Sequence, residues 1–329
     1  MQYKKLGNTG LTVSRLGIGT MTFGLQTEEA TSHAILDRVL DAGVTFIDTA
    51  DVYPIGGTLE TVGRTEEIIG RWLPGKRDQV ILASKAVGKM GPQSWQQGAS
   101  RKHLISAVEH SLRRLNTDYL DLYQLHSDDA ETPIDETLEA LDTLVRSGKV
   151  RYIGVSNFLA YRLALALGRS DTRHLTKFVS VQPRYSLLFR EIERELLPLS
   201  AEQNIGVVVY NPLAGGLLSG KHQFGTPTEG TRFTLGSIAG RYQDRYWRER
   251  EFATVEALKD LAAEYQTDLV TASIAWVLAN PTVTTALIGA SRPQQLEQTL
   301  AASELQLDPT FKARLDELTH EYRFGDAAR

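Results

Sequence analysis

Short apolar runs alternate with segments of helical periodicity along most of the chain. The runs lie near residues 15–19, 44–48, 79–84, 119–125, 150–155, 178–182, 206–210 and 284–289. Between two of them, Leu104, Val108, Leu112 and Leu115 recur at the spacing of one helical face. Eight strands that alternate with helices favour an α/β fold, and they fit a (β/α)8 TIM barrel better than an open sheet.

Flanking segments extend this pattern at both ends. Residues of about 2–14 are predicted to form an N-terminal β-hairpin around a Gly7-Asn8-Thr9-Gly10 turn. The barrel itself is expected at about 15–305, with extra C-terminal helices and a tail at about 308–329. No break in composition divides the sequence, so we expect a single domain over residues 1–329.

Polar residues also mark the expected ends of helices. Thr27-Glu28-Glu29 is predicted to cap the first helix, and Ser100 is predicted to cap the helix that carries Leu104. Ser147-Gly148 is expected to end a later helix. The longest interval separates the seventh and eighth strands and contains a loop rich in Gly, Pro, Ser and Thr at about 213–240.

Polar side chains follow the predicted strands at the points where these strands end. They are Asp48, Tyr53, Lys85, His126, Ser156, Asn157, Gln182, Tyr210 and Asn211. In a barrel of this kind the active site lies at the carboxyl ends of the strands. The sequence therefore predicts that these side chains surround one site.

Four of these residues have the types needed to protonate an oxyanion as hydride reaches its carbon. A tyrosine such as Tyr53 can act as a general acid, and a nearby lysine such as Lys85 is expected to lower the pKa of the phenol. Asp48 would hold the lysine, and a neutral His126 could polarise a carbonyl by hydrogen bonding. Taken singly, each residue has an ordinary structural explanation, and their joint placement carries the hypothesis.

Composition restricts the other classes of function. The chain has 36 basic and 40 acidic residues, a net charge of −4 and no cysteine. These values give no sign of nucleic-acid binding and exclude disulfides and cysteine metal sites. His126-Ser127-Asp128-Asp129 lacks a second paired histidine, so we expect no metal site. With no secretory leader and no long apolar run, we expect a soluble, cytoplasmic protein that does not enter a membrane.

Two motifs come close to nucleotide-binding signatures without matching them. Gly17-Ile18-Gly19-Thr20-Met21-Thr22 lacks the third glycine of the dinucleotide fingerprint. The run Gly215–Lys221 fits the start of a P-loop, but His222 replaces the required Ser or Thr. That loop could wrap a pyrophosphate or serve only as a flexible crossover. The segment 288–295 places Ser291 and Arg292 before a helix start, which is either a phosphate site or an ordinary N-cap.

The whole chain resembles the aldo-keto reductase superfamily. The resemblance rests on these segments: 6–11, Val13-Ser14, 17–21, 41–50, Ser84-Lys85, 111–115, 118–122, Leu125-His126 and 148–158. It implies a (β/α)8 barrel that reduces carbonyl groups with NADPH, and less often with NADH, without a Rossmann domain. It also implies that Tyr53 is the general acid, Lys85 its partner, Asp48 the partner of Lys85, and His126 the group that orients the carbonyl.

The same resemblance implies a set of cofactor-binding residues. Ser156, Asn157 and Gln182 would hold the nicotinamide carboxamide, and Tyr210 would stack on the ring. Ser291 and Arg292 would lie nearest the 2′-phosphate, where an arginine favours NADPH. The remaining predicted contacts are Gly19, Thr20, Met21, Asp48, Asn211, Pro212, Leu213, Ala214, Gly215, Ser219, Lys221, Arg232, Gly289, Gln295 and Gln298.

Within the superfamily the chain is similar to the branch of bacterial reductases and potassium-channel β-subunits, as residues 182–188 and 212–221 indicate. The loop 54–63 is longer than the usual link and is expected to shape the substrate pocket. Gln298-Thr299 replaces a Glu-Asn pair of the channel subunits, which leaves the adenine contacts open.

The leading hypothesis is an NADPH-dependent reductase of aldehydes or ketones, and a reductase of keto-sugars is a narrower form of it. The alternative is an NADPH-binding regulatory or sensor subunit with slow or no turnover. A small carbonyl compound is the expected partner. The sequence leaves open the substrate and whether the chain assembles as a homo-oligomer.

Overall fold

The strands are short and lie where the apolar runs predict them. The computed structural model describes residues 1–325. Its strands are β1 Tyr3–Lys5, β2 Thr12–Ser14, β3 Leu16–Gly19, β4 Phe46–Asp48, β5 Ile81–Ala86, β6 Leu120–Leu125, β7 Val150–Ser156, β8 Ser180–Gln182, β9 Gly206–Val209 and β10 Val283–Ile288. Strands β1 and β2 pair antiparallel, which confirms the hairpin.

The other eight strands close into a parallel barrel in the order β10-β3-β4-β5-β6-β7-β8-β9. This confirms the predicted (β/α)8 fold. The α-helices between and after the strands are α1 Glu29–Asp41, α2 Arg64–Trp72, α3 Arg101–Leu115, α4 Ile134–Arg146, α5 Ala160–Arg173, α6 Leu196–Glu202, α7 Ala239–Tyr246, α8 Glu249–Glu264, α9 Leu269–Leu278, α10 Leu296–Ala301 and α11 Pro309–Leu318.

Helix α3 begins as predicted, because the Ser100 hydroxyl accepts a hydrogen bond from the backbone N–H of His103 at 3.3 Å. Helix α1 begins within the predicted segment Thr27-Glu28-Glu29, with Glu28 at the N-cap position, but no side chain caps it by a hydrogen bond. Thr27 instead belongs to a tight turn, where its carbonyl accepts from the Gly24 N–H at 2.8 Å.

The barrel interior is filled by apolar side chains that stand in register. Phe46, Ala83, Leu122, Val208 and Leu287 form one buried cluster there, together with residues of the hairpin. Because side chains alternate along a strand, the residue two positions later points to the same side of the sheet. Asp48, Lys85 and Gln124 follow Phe46, Ala83 and Leu122 by two positions, so they lie one layer above the apolar floor.

The long interval between β9 and β10 is folded rather than irregular throughout. It contains a 3-10 helix at Ala214–Ser219, another at Gly236–Ile238, and helices α7, α8 and α9. Trp247 packs within it against Phe233 and Phe252, with ring centroids 4.6 and 4.9 Å apart. Trp247 therefore belongs to the packing of this segment.

The predicted C-terminal extension is confirmed by α11 and a 3-10 helix at His320–Phe324. The last part of the predicted tail, residues 326–329, lies outside the described residues. Across residues 1–325, no helix has both the length and the apolar character needed to span a bilayer.

Candidate active site

The carboxyl ends of β4, β5 and β6 bring four of the predicted residues together. Asp48 ends β4, Lys85 is the second-last residue of β5, and His126 directly follows β6. Tyr53 lies in the loop after β4 and is only 8% exposed. Asp48 and Lys85 are buried, and we call the carboxyl end of the barrel around these four residues the recess.

Asp48 and Lys85 form a buried ion pair. The Lys85 ammonium donates to Asp48 Oδ1 and to the Thr49 carbonyl, the latter at 2.8 Å. Asp48 Oδ2 accepts from Gln124 Nε2 at 3.1 Å and from Gln182 Nε2 at 2.7 Å. A buried charge is tolerated only when it is paired and hydrogen-bonded, and this arrangement meets both conditions.

Tyr53 lies between Lys85 and His126. The Lys85 Nζ is 5.1 Å from the centroid of the Tyr53 ring. The rings of Tyr53 and His126 meet edge to face, with centroids 5.6 Å apart. The phenol therefore borders both the cation and the imidazole.

The electrostatics of Tyr53 correct one expectation. Burial raises the pKa of Tyr53 well above its ordinary value, and the negative charge of Asp48 adds to this effect. Burial thus outweighs the lowering expected from Lys85, because the phenolate would lose its hydration and Asp48 compensates the lysine charge. Tyr53 is held in its protonated form, which is the form a general acid requires.

His126 is held in its neutral form. Burial lowers the pKa of His126 to about 3, and the charge of Lys85 acts in the same direction. The backbone fixes the residue on both sides, because its N–H donates to the Ala86 carbonyl at 2.8 Å and its carbonyl accepts from Asn157 Nδ2 at 2.9 Å. A neutral imidazole can donate one hydrogen bond to a carbonyl oxygen without bringing a charge.

The residues predicted near a nicotinamide ring are connected by hydrogen bonds. The Ser156 hydroxyl donates to the Gln182 carbonyl at 2.9 Å and accepts from Asn157 Nδ2 at 3.1 Å. The Tyr210 hydroxyl donates to Asn157 Oδ1 at 2.9 Å. Asn157 has a φ of 58°, a left-handed conformation that asparagine tolerates better than most residues. The structure thus joins the ends of β7, β8 and β9 on one side of the recess.

The glycine-rich loop after β9 has an unusual backbone. Asn211, Ala214 and Gly215 have φ values of 62°, 49° and 72°. Asn211 fixes the turn by accepting from the Gly215 N–H at 2.6 Å and donating to the Tyr246 hydroxyl at 2.8 Å. Tyr242 closes over the turn, since a Cβ added to Gly215 would lie 2.7 Å from the Tyr242 ring. Helix α7 therefore packs directly on this loop.

The other predicted residues of this loop are placed along the same path. Pro212 is buried, Leu213 is partly buried, and the Ser219 hydroxyl donates to the Gly216 carbonyl at 2.6 Å. Lys221 is exposed. The Arg232 guanidinium approaches the end of β10, where a Cβ on Gly289 would be 3.1 Å from its Nη2.

The segment after β10 forms a compact polar turn. Gln295 Oε1 accepts from the Ser291 N–H at 2.8 Å and from the Ser291 hydroxyl at 3.2 Å. Arg292 is exposed and has no ion-pair partner within residues 1–325. Gln298 is exposed on α10. Ser291 and Arg292 thus lie together at the rim, next to Gly289.

The three residues predicted after β3 have different surroundings. Thr20 is buried, and its backbone N–H and hydroxyl both donate to the Asp48 carbonyl, at 3.0 and 2.9 Å. Met21 accepts through its carbonyl from the Ile55 N–H at 2.9 Å. Gly19 is partly exposed at the end of β3. Thr20 therefore supports Asp48, and Met21 anchors the loop that follows Tyr53.

The loop 54–63 extends from Tyr53 to the long segment after β9. The Tyr53 carbonyl accepts from the Gly63 N–H at 3.1 Å, which returns the loop to its starting point. A Cβ added to Gly56 would lie 3.7 Å from Ile238, so the loop contacts the segment between β9 and β10.

Two polar features at the site were missed by reasoning from the sequence. Gln124 is buried in β6, and the only sequence signal for it is an amide inside an apolar run. Asp51 is fully buried, and neither of its carboxyl oxygens accepts a side-chain hydrogen bond within residues 1–325. Burial, followed by the nearby Glu66, raises the pKa of Asp51 well above its usual range. The neutral form of Asp51 is therefore favoured by its surroundings.

The chain matches one family of known proteins along nearly its whole length. The model of the aldo/keto reductase family matches residues 15–320. The chain is 39% identical to the uncharacterized oxidoreductase YrpG of Bacillus subtilis, over 97% of this chain and 96% of that protein. It is 35% identical to a probable voltage-gated potassium channel subunit beta of Arabidopsis thaliana, over 93% and 92% of the two chains. It is 31% identical to the L-glyceraldehyde 3-phosphate reductase of Escherichia coli, over 92% and 87%.

These matches identify the class of protein that the barrel and its rim define. The chain belongs to the aldo/keto reductase family. Membership supports an oxidoreductase that acts on carbonyl compounds with a nicotinamide cofactor. The resemblance to bacterial reductases and channel β-subunits is confirmed by the relatives themselves.

Proposed function

We propose that the protein reduces an aldehyde or ketone to an alcohol with NADPH, and that Tyr53 is the proton donor. The observation that carries the proposal is the placement of a buried, protonated Tyr53 between the Lys85 cation and the neutral ring of His126. A carbonyl oxygen bound against the phenol and the imidazole would accept hydrogen bonds from both.

Four residues of the site have a defined part in this reaction. A bound reduced nicotinamide supplies the hydride. His126 orients and polarises the carbonyl, and Tyr53 donates its proton to the oxygen as charge develops there. Lys85 faces the ring of the resulting phenolate and stabilises it, while Asp48 holds Lys85 in place. The burial of Asp48, Lys85 and Tyr53 limits their contact with water, which strengthens these interactions.

The residues around the recess fit a phosphorylated dinucleotide. Gln182 is 3% exposed, and its Oε1 accepts no hydrogen bond from the described residues, so this atom is left for a ligand. Asn157 and Ser156 lie beside it, and Tyr210 would stack on the ring. Gly289 lets the Arg232 guanidinium approach the end of β10, and we assign Arg232 to the pyrophosphate with Ser219 and Lys221.

The preference for NADPH rests on Arg292 and Ser291. Arg292 is exposed beside Ser291 and has no carboxylate partner within the described chain. A guanidinium pairs well with a phosphate dianion, which NADPH carries at the adenosine ribose and NADH lacks. Gln295 orders Ser291 and would support this contact.

The substrate class is the narrower part of the proposal. One relative carries the name of a reductase of a phosphorylated three-carbon aldehyde. We therefore place small sugar-derived carbonyls, including keto-sugars, first among the candidate substrates. The loop 54–63 and the segment after β9 would form the walls that select among them.

A second candidate function is a cofactor-binding regulatory subunit with slow turnover. The observation that favours it is the similarity to probable channel β-subunits over more than 90% of both chains. The complete set of Asp48, Tyr53, Lys85 and His126 favours turnover, and we therefore rank the reductase first.

A steady-state screen of the purified protein tests the choice. Aldehydes, α-dicarbonyls, keto-sugars and glyceraldehyde 3-phosphate are each offered with NADPH and with NADH, and binding of both coenzymes is measured by fluorescence quenching. We expect turnover with NADPH on at least one of these carbonyls. Tight NADPH binding with no turnover on any of them would favour the regulatory subunit instead.

A further inference from the structure

Gln124 is a buried polar residue of the site to which the proposed mechanism assigns no role. It lies in β6, where it is the register partner of Lys85 on β5, and it is 0% exposed. A buried amide carries two donors and an acceptor that must be satisfied, and leaving them unpaired costs stability. The contacts of Gln124 therefore indicate what it does.

The hydrogen bonds around Gln124 admit one assignment of donors and acceptors. Asp48, as a carboxylate, can only accept. Gln124 Nε2 donates to Asp48 Oδ2 at 3.1 Å, and Gln182 Nε2 donates to the same oxygen at 2.7 Å. The second N–H of Gln182 goes to Gln124 Oε1 at 3.2 Å. Both N–H groups of Gln182 are thus used, and two contacts fix its amide plane.

This assignment leaves one hydrogen-bonding atom of the Gln182 side chain without a partner among the described residues. Its Oε1 is the remaining acceptor, and it accepts nothing from the described residues. A carboxamide NH2 group is the complementary donor. A methyl ketone of the same shape has no hydrogen to donate there, so a fixed Gln182 discriminates between the two.

We propose that Gln124 is a positioning residue that locks the Gln182 amide and thereby gives the site its preference for a carboxamide on the pyridine ring of the cofactor. The inference rests on the proposed nicotinamide function of this recess. Without Gln124, Gln182 keeps its bond to Asp48 but gains an unpaired N–H and can rotate about the single remaining contact. A rotated Gln182 no longer presents Oε1 to the carboxamide.

A double-mutant cycle tests the proposal. Dissociation constants of NADP+ and of its 3-acetylpyridine analogue are measured by titration calorimetry for the wild type, Gln124→Met, Gln182→Met and the double variant. Methionine has a similar length and removes the hydrogen bonds. We expect Gln124→Met to reduce the preference for NADP+ over the analogue by about threefold to tenfold. In the Gln182→Met background the same change should have no further effect.

Two results would overturn the positioning role. One is an unchanged preference in Gln124→Met, and the other is an equal loss with and without Gln182. In one outcome the wild type binds both dinucleotides and reduces carbonyls while Gln124→Met keeps the wild-type preference for NADP+ over the analogue. That result refutes only the role of Gln124. A wild type that binds neither dinucleotide refutes the proposed function as well.

Gln124→Glu supplies a second test in case Gln124→Met folds poorly. The introduced carboxyl keeps an acceptor for Gln182, and it donates to Asp48 only while it is protonated. The preference for NADP+ should therefore approach the wild-type value at low pH and fall as the pH rises and the two carboxylates repel. The wild type serves as the control, and its preference for NADP+ over the analogue should not depend on pH. If the preference of Gln124→Glu is equally independent of pH, the proposal is contradicted.

Discussion

The Nζ of Lys85 lies 5.1 Å from the centroid of the Tyr53 ring, while its hydrogen bonds go to Asp48 and Thr49. The lysine thus faces the phenol without bonding to it. Asp48 is the ion-pair partner of this lysine, and burial keeps the proton on Tyr53. The arrangement favours proton donation over proton acceptance by Tyr53 at neutral pH.

The first prediction concerns the pH dependence of carbonyl reduction. The reaction needs protonated Tyr53, whose pKa is raised above about 10, and neutral His126, whose pKa is lowered to about 3. Neither group changes its protonation between those limits. We therefore expect kcat/KM for reduction to be flat from about pH 5 to 9. A loss of activity centred between pH 6 and 8 would assign the proton donor or the polarising group to another residue.

A second prediction concerns the buried acid Asp51. Its pKa is raised in the folded state, so the folded protein binds this proton more tightly than the unfolded chain does. The contribution of Asp51 to stability is therefore largest below the unfolded value of about 4 and is lost as the pH rises. Asp51→Asn keeps a neutral side chain. Its free energy of unfolding, relative to the wild type, should increase from pH 4 to 8 by up to about 1.4 kcal/mol per pH unit.

Chemical denaturation at several pH values checks this prediction. Asp244→Asn serves as the control, because Asp244 is exposed on α7 and forms no ion pair with the described residues. We expect no pH-dependent difference for the control. A constant difference between Asp51→Asn and the wild type over this range would show that Asp51 is ionised in the folded protein.

The third prediction concerns the loop after β9. Gly215 has a φ of 72°, and a Cβ there would lie 2.7 Å from the Tyr242 ring. Gly215→Ala should therefore lower the melting temperature and weaken NADPH binding, because the turn and α7 must move apart. Gly240→Ala is the matched control, since no heavy atom lies within 4 Å of an added Cβ and the residue is within α7. It should be neutral or stabilising by up to about 1 kcal/mol. Equal behaviour of the two variants would contradict the structure of this turn.

The fourth prediction concerns the choice of coenzyme. Arg292→Ala should weaken NADPH binding by about tenfold to a hundredfold, which corresponds to the loss of charge-assisted hydrogen bonds to a phosphate. NADH binding should change little. Arg38→Ala, which removes an exposed arginine from α1, is the control and should affect neither coenzyme. Equal losses of NADPH and NADH affinity in Arg292→Ala would place the 2′-phosphate elsewhere.

The sequence predicts the barrel well because the signal is repeated eight times. The approximate position of each apolar run is enough to predict a strand, and closure of the barrel then places the strand ends on one rim. Asp48, Lys85 and His126 could be found in this way because each stands at the end of such a run. Tyr53 could be found as well, because it follows Asp48 by only five residues.

Gln124 and Asp51 could not be found in this way because their roles depend on neighbours that are distant in sequence. Gln124 on β6 forms hydrogen bonds with Asp48 on β4 and Gln182 on β8. Nothing in the run Leu120–Leu125 indicates those partners. Likewise, the pKa of Tyr53 depends on how completely the barrel mouth excludes water, which residue types alone do not fix. Sequence identifies the groups, whereas packing decides their charge and orientation.

The most direct test of the account is Tyr53→Phe, which removes only the hydroxyl group. Single-turnover hydride transfer to a carbonyl substrate is measured together with NADPH affinity by fluorescence quenching. We predict that reduction falls by at least about a hundredfold, as expected for the loss of a general acid, while NADPH affinity is unchanged. Carbonyl reduction at the wild-type rate in this variant would contradict the assignment of Tyr53 as the proton donor.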